Sequence, residues 1–215
     1  MPNRLLADSS KKTIRRALLA KNRSRRPRPR FVKDLRLLGY KTIVGIDEVG
    51  RGALAGPLVV AAVEIYQPIN GINDSKLLSA QKRELLAHQI HYSALQISFG
   101  IASNDEIDQL GLAAAQRLAY ERALADISVD LLLTDRVHPA GVPRFISAIR
   151  GDSLFYPVAA ASIVAKVYRD RLMSVYHQAH PEYCWRQNAG YGTLAHKKAL
   201  DAIGPCPLHR QSFLH

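Results

Sequence analysis

Four acidic residues follow or end short apolar runs of the kind that form buried strands, and they are Asp47, Glu48, Asp135 and Asp152. Carboxylates that are packed together without a partner repel one another, and their pKa values rise. A bound divalent cation removes that repulsion, and ligands that are all oxygen, without clustered His or Cys, suit Mg²⁺ or Mn²⁺. Two such ions, about 3.5–4 Å apart, can stabilise both the attacking and the leaving oxygen when a phosphodiester is cleaved. The four acids are therefore candidate metal ligands and candidate catalytic residues.

The glycines after the first two acids bear on whether that pair can share one site. Neighbours on a regular strand point to opposite faces of the sheet, so we expect the strand to end or distort at Asp47 and Glu48. Gly50 and Gly52 favour such a distortion. They also allow the backbone to approach a ligand closely, and Arg51 between them is suited to meet a phosphate. The chain has no G-x-x-x-x-G-K-[ST] pattern, which excludes a nucleotide P-loop.

The apolar pattern predicts the elements that must bring the acids together. Five runs predict strands, at Lys41–Ile46, Leu58–Tyr66, Leu95–Ile101, Leu131–Thr134 and Phe145–Ile149. Helices are predicted at Ser79–Ile90, after the capping box Ser103–Glu106, at Val158–Tyr176, and at Leu194–Ile203 with Gly204 as its end. Three strands before any long helix predict an antiparallel start to an α/β fold. Because ligands of open α/β sheets bind at strand ends, the four acids are expected to converge at one edge of the sheet.

The basic charge of the chain is concentrated at its N-terminus. The 215 residues carry a net charge of +12, and residues 1–40 hold 13 Lys/Arg and 2 Asp/Glu against 17 and 16 in the remainder. Like charges and prolines in the stretch 21–30 predict disorder, so we expect a basic arm at 1–39 and one catalytic domain at 40–215. Such an arm strengthens binding to a polyphosphate without reading sequence. A solvated tail and a mitochondrial transit peptide are the alternatives.

The remaining composition indicates a globular protein of a reducing compartment. Only two cysteines are present, too few for a disulfide framework or a metal-binding cysteine cluster. No apolar run approaches the roughly 20 residues that span a bilayer, and no secretory signal is recognisable. We expect a cytoplasmic monomer.

Five ordered blocks give the sequence a resemblance to the bacterial ribonuclease HII family, over roughly residues 40–213. They are GIDEVGRGALAGPLVVAAV from Gly45, NDSKLLS from Asn73, GIASNDEIDQLG from Gly100, AAASIVAKVYRDRLM from Ala159, and GYGTLAH from Gly190 with GPCPLHRQSF from Gly204. The resemblance implies an RNase H-like fold, with a five-stranded mixed sheet flanked by helices and a small helical C-terminal part. It also implies an endonuclease, using Mn²⁺ or Mg²⁺, that cuts the RNA strand of RNA–DNA hybrids. A single ribonucleotide in duplex DNA would be cut on its 5′ side, which leaves a 3′-hydroxyl and a 5′-phosphate.

The resemblance assigns roles to particular residues. The family's four metal-binding carboxylates fall on the four acids that the strand-end argument selects. Gly50, Arg51 and Gly52 are similar to the family loop that contacts the ribonucleotide 2′-hydroxyl, the group that separates RNA from DNA. Tyr191 is similar to the family tyrosine that stacks on the sugar of the next deoxynucleotide, and Lys76 would hold a backbone phosphate.

Two further positions bear on the resemblance. We expect Asp170, which is also a family motif residue, to form a structural pair on its helix. After the third acid the family usually has Gly-Asn, whereas this chain has Arg136-Val137; the departure concerns local substrate contacts and not the metal ligand Asp135.

Two other functions use some of the same features. A DNA nuclease or resolvase with an RNase H fold would use similar acids but would lack the pairing of the glycine loop with Tyr191. A non-catalytic nucleic-acid-binding module would explain the basic arm but not the acids, since carboxylates without a metal repel phosphates. The sequence leaves open the preferred metal and any contact with a replication clamp.

Overall fold

Five strands form one mixed sheet in the part of the chain that the structure describes, residues 27, 29–136, 142 and 144–214 of a computed structural model. They are β1 (Ile43–Val49), β2 (Leu58–Glu64), β3 (Gln96–Ala102), β4 (Leu131–Asp135) and β5 (Phe145–Ala148). Their order across the sheet is β3-β2-β1-β4-β5. β1, β2 and β3 pair antiparallel, whereas β4 runs parallel to β1 and β5 runs parallel to β4. The antiparallel start and the α/β class predicted from the sequence are confirmed.

The described helices flank the sheet and extend beyond it at the C-terminal end. They are α1 (Pro29–Leu37), α2 (Ala80–Ser93), α3 (Asn104–Leu110), α4 (Leu112–Leu124), α5 (Gly151–Leu154), α6 (Tyr156–Ala179), α7 (Trp185–Asn188) and α8 (Leu194–Ile203). Short 3₁₀ turns lie at Ser75–Leu77, Pro181–Tyr183 and Gln211–Phe213. None of the helices in the described residues is long and apolar enough to cross a membrane.

Glycines in two strands let a helix lie directly on each face of the sheet. A Cβ on Gly45 of β1 would lie 2.1 Å from the carbonyl carbon of Pro157, at the start of α6. On the other face, a Cβ on Gly100 of β3 would lie 1.8 Å from the carbonyl oxygen of Ala119 in α4. The hydrophobic core therefore has two parts, one under α1, α2 and α6 and the other under α4. These contacts fix α6 against β1 and α4 against β3.

A third, smaller hydrophobic cluster belongs to the helical C-terminal part. Its buried members are Ala55, Met173, Tyr183 and Trp185. Because Ala55 comes from the segment between β1 and β2, the cluster ties the C-terminal helices to the loop that follows the first two acids. The small helical part predicted at this end is confirmed.

The central strand does not end where the sequence suggested. β1 continues through both acids to Val49 and keeps its register with β2, in which Asp47 lies opposite Ala61 and Glu48 opposite Val60. The prediction that the strand ends or distorts at these acids was wrong, because the neighbouring strand β2 is buried along its whole length and continues the pairing. The two acids therefore lie on opposite faces of the sheet.

Part of the expected arm is folded. Residues 29–37 form α1, in which Phe31, Val32 and Leu35 are buried in the core. The ring of Phe31 stacks on that of Phe155, with the centroids 5.3 Å apart. The expectation of disorder up to residue 39 was wrong for this stretch because its apolar side chains share one helical face. Residues 1–26 and 28 lie outside the described residues, so disorder there stays a prediction.

Candidate active site

Two of the predicted acids meet because their strands are parallel neighbours. β1 and β4 pair up to Ile46 and Thr134, and the next residue on each strand is Asp47 and Asp135. The chain turns immediately after Asp135, since Arg136 has a positive φ of 56°. Asp47 and Asp135 therefore lie side by side at the point where β4 ends.

The fourth acid is brought to the same place by the start of α5. The backbone N–H of Gly151 donates a hydrogen bond to Asp135 Oδ1 at 3.1 Å. A Cβ on Gly151 would lie only 2.6 Å from the carbonyl oxygen of Thr134, so a glycine is required for this approach. Asp152, the next residue, is 8% exposed. Burial raises its pKa, and the charges of Asp74 and Asp135 raise it further.

Asp47 faces α6 and interacts with a serine hydroxyl of that helix. It accepts a hydrogen bond from Ser162, whose Oγ lies 2.8 Å from the Oγ of Ser75, and both serines are buried. Burial raises the pKa of Asp47 well above its usual range, and the charges of Glu48 and Asp152 add to the effect. Ser75 belongs to the 3₁₀ turn of the DSK block, so this turn contacts the acid site through Ser162.

Glu48 lies on the other face and is held by a tyrosine from α4. The hydroxyl of Tyr120 donates a hydrogen bond to Glu48 Oε2 at 2.5 Å, and Tyr120 is 3% exposed. Burial raises the pKa of Glu48, the Tyr120 hydrogen bond and the charge of Arg51 lower it, and the charge of Asp135 raises it. Sequence reasoning missed Tyr120. The one available signal was a tyrosine on the apolar face of a helix, because a buried phenol needs a partner.

The electrostatic interactions connect all four acids. Asp47 interacts with Glu48 and Asp152, and Asp135 interacts with Glu48 and Asp152. In each of the three raised pKa values burial is the largest cause. The structure thus brings together four carboxylates whose negative charges oppose one another.

This donor set fits a hard divalent cation. The ligand atoms are all carboxylate oxygens, and neighbouring charges favour the neutral forms unless a cation is supplied. Within the described ranges, no three His, Cys, Asp or Glu side chains already stand close enough to enclose a metal ion. A shared ion would have to draw the carboxylates closer together, and its charge would offset the repulsion between them.

The glycine loop begins where β1 ends. Gly50 has a positive φ of 92°, and a Cβ there would lie 2.2 Å from Arg169 Nε. A Cβ on Gly52 would meet no atom within 4 Å, so the loop is open to a ligand on that side. The side chain of Arg51 is exposed, and its carbonyl oxygen accepts a hydrogen bond from Arg210 at 3.1 Å. Arg210 therefore anchors the backbone of the loop, whereas the Arg51 side chain and Gly52 are exposed to solvent.

Tyr191 is joined to this loop through the backbone. It forms a β-bridge with Ala53, and the carbonyl of Gly190 accepts hydrogen bonds from the N–H groups of Leu54 and Ala55. The guanidinium carbon of Arg169 lies 5.5 Å from the centre of the partly buried Tyr191 ring. The tyrosine and the glycine loop thus form one continuous surface.

Lys76 and Asp170 are the other two residues that the sequence singled out. Lys76 is exposed in the turn Ser75–Leu77, and its charge lowers the pKa of Asp152, which places it beside the acids. Asp170 forms the helical pair predicted for it, with Lys166 Nζ 2.5 Å from its Oδ1. Asp74, two residues before Lys76, was not selected from the sequence as an acid of the site. Its charge also raises the pKa of Asp152.

The fold and the acids define a class of protein. A mixed five-stranded sheet that carries carboxylates near the ends of the parallel strands β1 and β4 and in the helix after β5 is the arrangement of an RNase H-like nuclease. A sequence model of one family within that class, Ribonuclease HII, matches residues 44–215. The chain belongs to the ribonuclease HII family, and so is a type 2 ribonuclease H (EC 3.1.26.4), which acts on RNA–DNA substrates.

Curated relatives agree with the family match. The chain is 49% identical to a ribonuclease HII of Cereibacter sphaeroides over 181 residues, which is 81% of this chain and 85% of the relative. It is 47% identical to a ribonuclease HII of Lactobacillus johnsonii over 176 residues, which is 80% of this chain and 70% of the relative.

Solved structures share the fold at lower identity. In the PCNA:RNase HII complex of Archaeoglobus fulgidus, the matching chain has a TM-score of 0.69 and 23% identity, over 81% of this chain and 96% of that one. Bst-RNase HIII in complex with Mn²⁺ has a TM-score of 0.58 and 20% identity, over 77% of this chain and 64% of that one. The RNase H-like fold implied by the sequence is confirmed.

Proposed function

We propose that this ribonuclease cuts on the 5′ side of single ribonucleotides embedded in duplex DNA, as well as within the RNA strand of hybrids. The products would be a 3′-hydroxyl and a 5′-phosphate. The observation that carries the proposal is the position of the glycine loop and Tyr191, which form one surface beginning where the acid-bearing strand β1 ends. A site that reads one ribose needs its reading surface within a nucleotide of the reacting phosphate.

We infer that the reaction depends on two divalent ions, Mn²⁺ or Mg²⁺, held by Asp47, Glu48, Asp135 and Asp152. When bound, such ions activate water and stabilise charge on the attacking and leaving oxygens. The raised pKa values of three of the four acids support this role, because a cation would relieve their repulsion. A structure of the same fold with Mn²⁺ also favours it.

The remaining residues would bind and orient the substrate. Gly50 and Gly52 let the backbone of the loop approach the ribose, and their N–H groups together with Arg51 would contact the 2′-hydroxyl and the adjacent phosphate. Tyr191 would stack on the sugar of the following deoxynucleotide, where an added hydroxyl would disturb the stack. Lys76, exposed beside Asp152, would bind a backbone phosphate.

A nicking assay tests this proposal. The substrate is a labelled duplex with one ribonucleotide, compared with an all-DNA duplex and an all-RNA strand in a hybrid, each with Mn²⁺, Mg²⁺ or EDTA. We expect metal-dependent nicking 5′ of the ribonucleotide and no cutting of the DNA duplex. Cutting of all-DNA would favour a DNA nuclease, and binding without cleavage would favour a non-catalytic module.

The variant Asp135→Asn tests the assignment of the acids. The amide keeps the shape of the side chain but removes one negative ligand, so we expect a folded protein with cleavage reduced by at least about 100-fold. The matched control is Asp126→Asn, a change at an exposed aspartate after α4. Cleavage by Asp135→Asn at the control's rate would remove Asp135 from the site.

A further inference from the structure

Three aromatic side chains form a buried polar network in the C-terminal part. Trp185, His196 and His209 are each at most 1% exposed. The Nε1 of Trp185 lies 3.1 Å from His196 Nε2, which in turn lies 3.0 Å from His209 Nε2. None of these three residues belongs to the acid site or to the glycine loop, and the reaction proposed above does not use them.

The hydrogen bonds assign the protons of both imidazoles. Indole N–H can only donate, so His196 Nε2 must accept, and the proton of His196 then resides on Nδ1. Nδ1 lies 3.0 Å from the carbonyl oxygen of Tyr191, to which it donates. His209 completes the set, because its Nδ1 accepts from the N–H of Cys206 at 3.0 Å and leaves Nε2 to donate to His196.

Both histidines are neutral at pH 7 in this arrangement. Burial lowers the pKa of His209 to about 4, and the neighbouring His196 adds to this effect. Burial also lowers the pKa of His196, although its hydrogen bond to Tyr191 offsets part of the shift. When both imidazoles are neutral, each ring has one nitrogen that donates and one that accepts, as the hydrogen bonds described above require.

The network ends at Tyr191, the residue proposed above to stack on the substrate. The carbonyl of Tyr191 receives the N–H of Thr193 at 2.8 Å as well as His196 Nδ1. Thr193 also caps the helix on which His196 lies. The peptide after Tyr191 is therefore fixed by two donors, while the bridge to Ala53 fixes the peptide before it.

We infer that His196 is a positioning residue for Tyr191, held in its Nδ1–H form by Trp185 and His209. By fixing the tyrosine backbone, it would set how strictly the enzyme prefers a ribonucleotide followed by DNA over continuous RNA. The inference rests on the proposed role of Tyr191 in reading that junction.

The proton positions are measurable in the unmodified protein. Two-bond ¹H–¹⁵N NMR spectra at pH 7 distinguish the two neutral forms of an imidazole and the cation. We expect His196 as the Nδ1–H form and His209 as the Nε2–H form. A charged His196, or one protonated on Nε2, would overturn the inference whatever the role of Tyr191.

Two substitutions at His196 test the contributions of its two ring nitrogens separately. The amide nitrogen of His196→Asn takes the place of Nδ1 and keeps its donor, whereas that of His196→Gln takes the place of Nε2. The readout is the ratio of kcat/KM on a single-ribonucleotide duplex to kcat/KM on an all-RNA hybrid strand. We expect His196→Gln to lower this ratio by about 2- to 10-fold, the worth of one hydrogen bond, and His196→Asn to retain most of it.

A double-mutant cycle with Tyr191→Ala isolates the path of the effect. If His196 acts through the tyrosine, His196→Gln has no further effect on the ratio in the Tyr191→Ala background. An equal loss in both backgrounds, or an unchanged ratio in His196→Gln beside an impaired Tyr191→Ala, would overturn the inference alone. A wild-type ratio in Tyr191→Ala would overturn the tyrosine's proposed role and the inference together. Fluorescence of Trp185, the chain's one tryptophan, reports whether each variant keeps the cluster folded.

Discussion

Adjacent acids on one strand are held by partners from opposite faces of the sheet. Asp47 accepts a hydrogen bond from Ser162 of α6, and Glu48 accepts one from Tyr120 of α4. Each donor stabilises the charged form of its carboxylate, which burial alone would disfavour. The regular strand is thus compatible with a shared site because the helix on each face orients one acid.

Removing the hydroxyl of Tyr120 tests this orientation. Tyr120→Phe keeps the buried ring but leaves Glu48 without its donor, so its pKa rises further and its affinity for a cation falls. A hydrogen bond to a charged group corresponds to roughly a tenfold or greater effect. We therefore expect the Mn²⁺ dissociation constant, measured by calorimetry without substrate, to increase about tenfold.

The control for this change is Tyr92→Phe, because Tyr92 is 91% exposed on α2. It should bind Mn²⁺ like the unmodified protein. Equal Mn²⁺ affinity in Tyr120→Phe and Tyr92→Phe would show that the phenol does not support the metal site.

At the scale of elements, the junction of α3 and α4 places Tyr120. Ser103 and Glu106 form a capping box at the start of α3. Glu106 also accepts two hydrogen bonds from the guanidinium of Arg122 on α4, at 2.9 and 2.7 Å. Arg122 lies two residues after Tyr120, so this ion pair ties the first turn of α3 to the helix that carries the tyrosine.

Replacing Glu106 with Gln isolates the charge of this junction. Glutamine can still cap Ser103, but the ion pair is lost. The hydrogen bond from Arg122 is the main reason that the pKa of Glu106 is lowered from 4.5 to about 2. A carboxylate with a lowered pKa stabilises the fold above pH 4.5, and that stabilisation disappears as the pH falls towards 2.

We accordingly expect Glu106→Gln to lower the free energy of unfolding by about 0.5–1 kcal/mol at pH 7 and by less at each step from pH 4.5 downward. Urea unfolding at pH values from 7 downward measures the loss of unfolding free energy at pH 7 and its decrease below pH 4.5. The control Glu121→Gln changes an exposed glutamate of α4 and should have no effect at any of these pH values. If the free energy of unfolding of Glu106→Gln is lower than that of the unmodified protein by the same amount at every pH, the assigned ion pair is contradicted.

The sequence predicted those elements whose evidence is local. Apolar runs located the five strands, and the spacing of Ser103 and Glu106 located a helix start. The four candidate acids were selected because each ends or follows an apolar run. Once the strands are ordered, the parallel pairing of β1 with β4 brings Asp47 beside Asp135.

What the sequence did not predict depends on contacts between distant residues. Tyr120 and Glu48 are 72 positions apart, and no local pattern connects them. The continuation of β1 through Glu48 depends on pairing with β2, and the folding of α1 depends on the ring of Phe155. The buried network of Trp185 and His196 likewise exists only after the C-terminal helices have packed.

For the whole molecule, charge is distributed unevenly along the chain. Residues 1–26 carry nine Lys/Arg and one Asp, whereas residues 41–215 are nearly balanced. Without bound cations the four carboxylates repel a nucleic acid, so basic groups outside them must attract it. We propose that the basic segment supplies a sequence-independent part of the affinity for duplexes, through release of counterions.

Replacing the nine Lys/Arg of residues 1–26 by Gln tests this proposal at constant length. We expect weaker binding of a duplex at low salt and a shallower dependence of the logarithm of the binding constant on the logarithm of salt concentration. Fluorescence anisotropy over a range of salt concentrations measures both quantities. A variant with the same 26 residues in scrambled order keeps the charge and should bind like the unmodified protein. Unchanged binding after the Gln replacements would limit duplex binding to residues 27–215.

We propose that four carboxylates, distant along the chain, share divalent ions beside the loop that would read a ribose. Anomalous diffraction from crystals of the protein grown with Mn²⁺ tests it most directly, because the signal locates the ions without reference to activity. We expect Mn²⁺ within coordination distance of oxygens from Asp47, Glu48, Asp135 and Asp152. Mn²⁺ bound at other side chains, with these four carboxylates left apart, would contradict it.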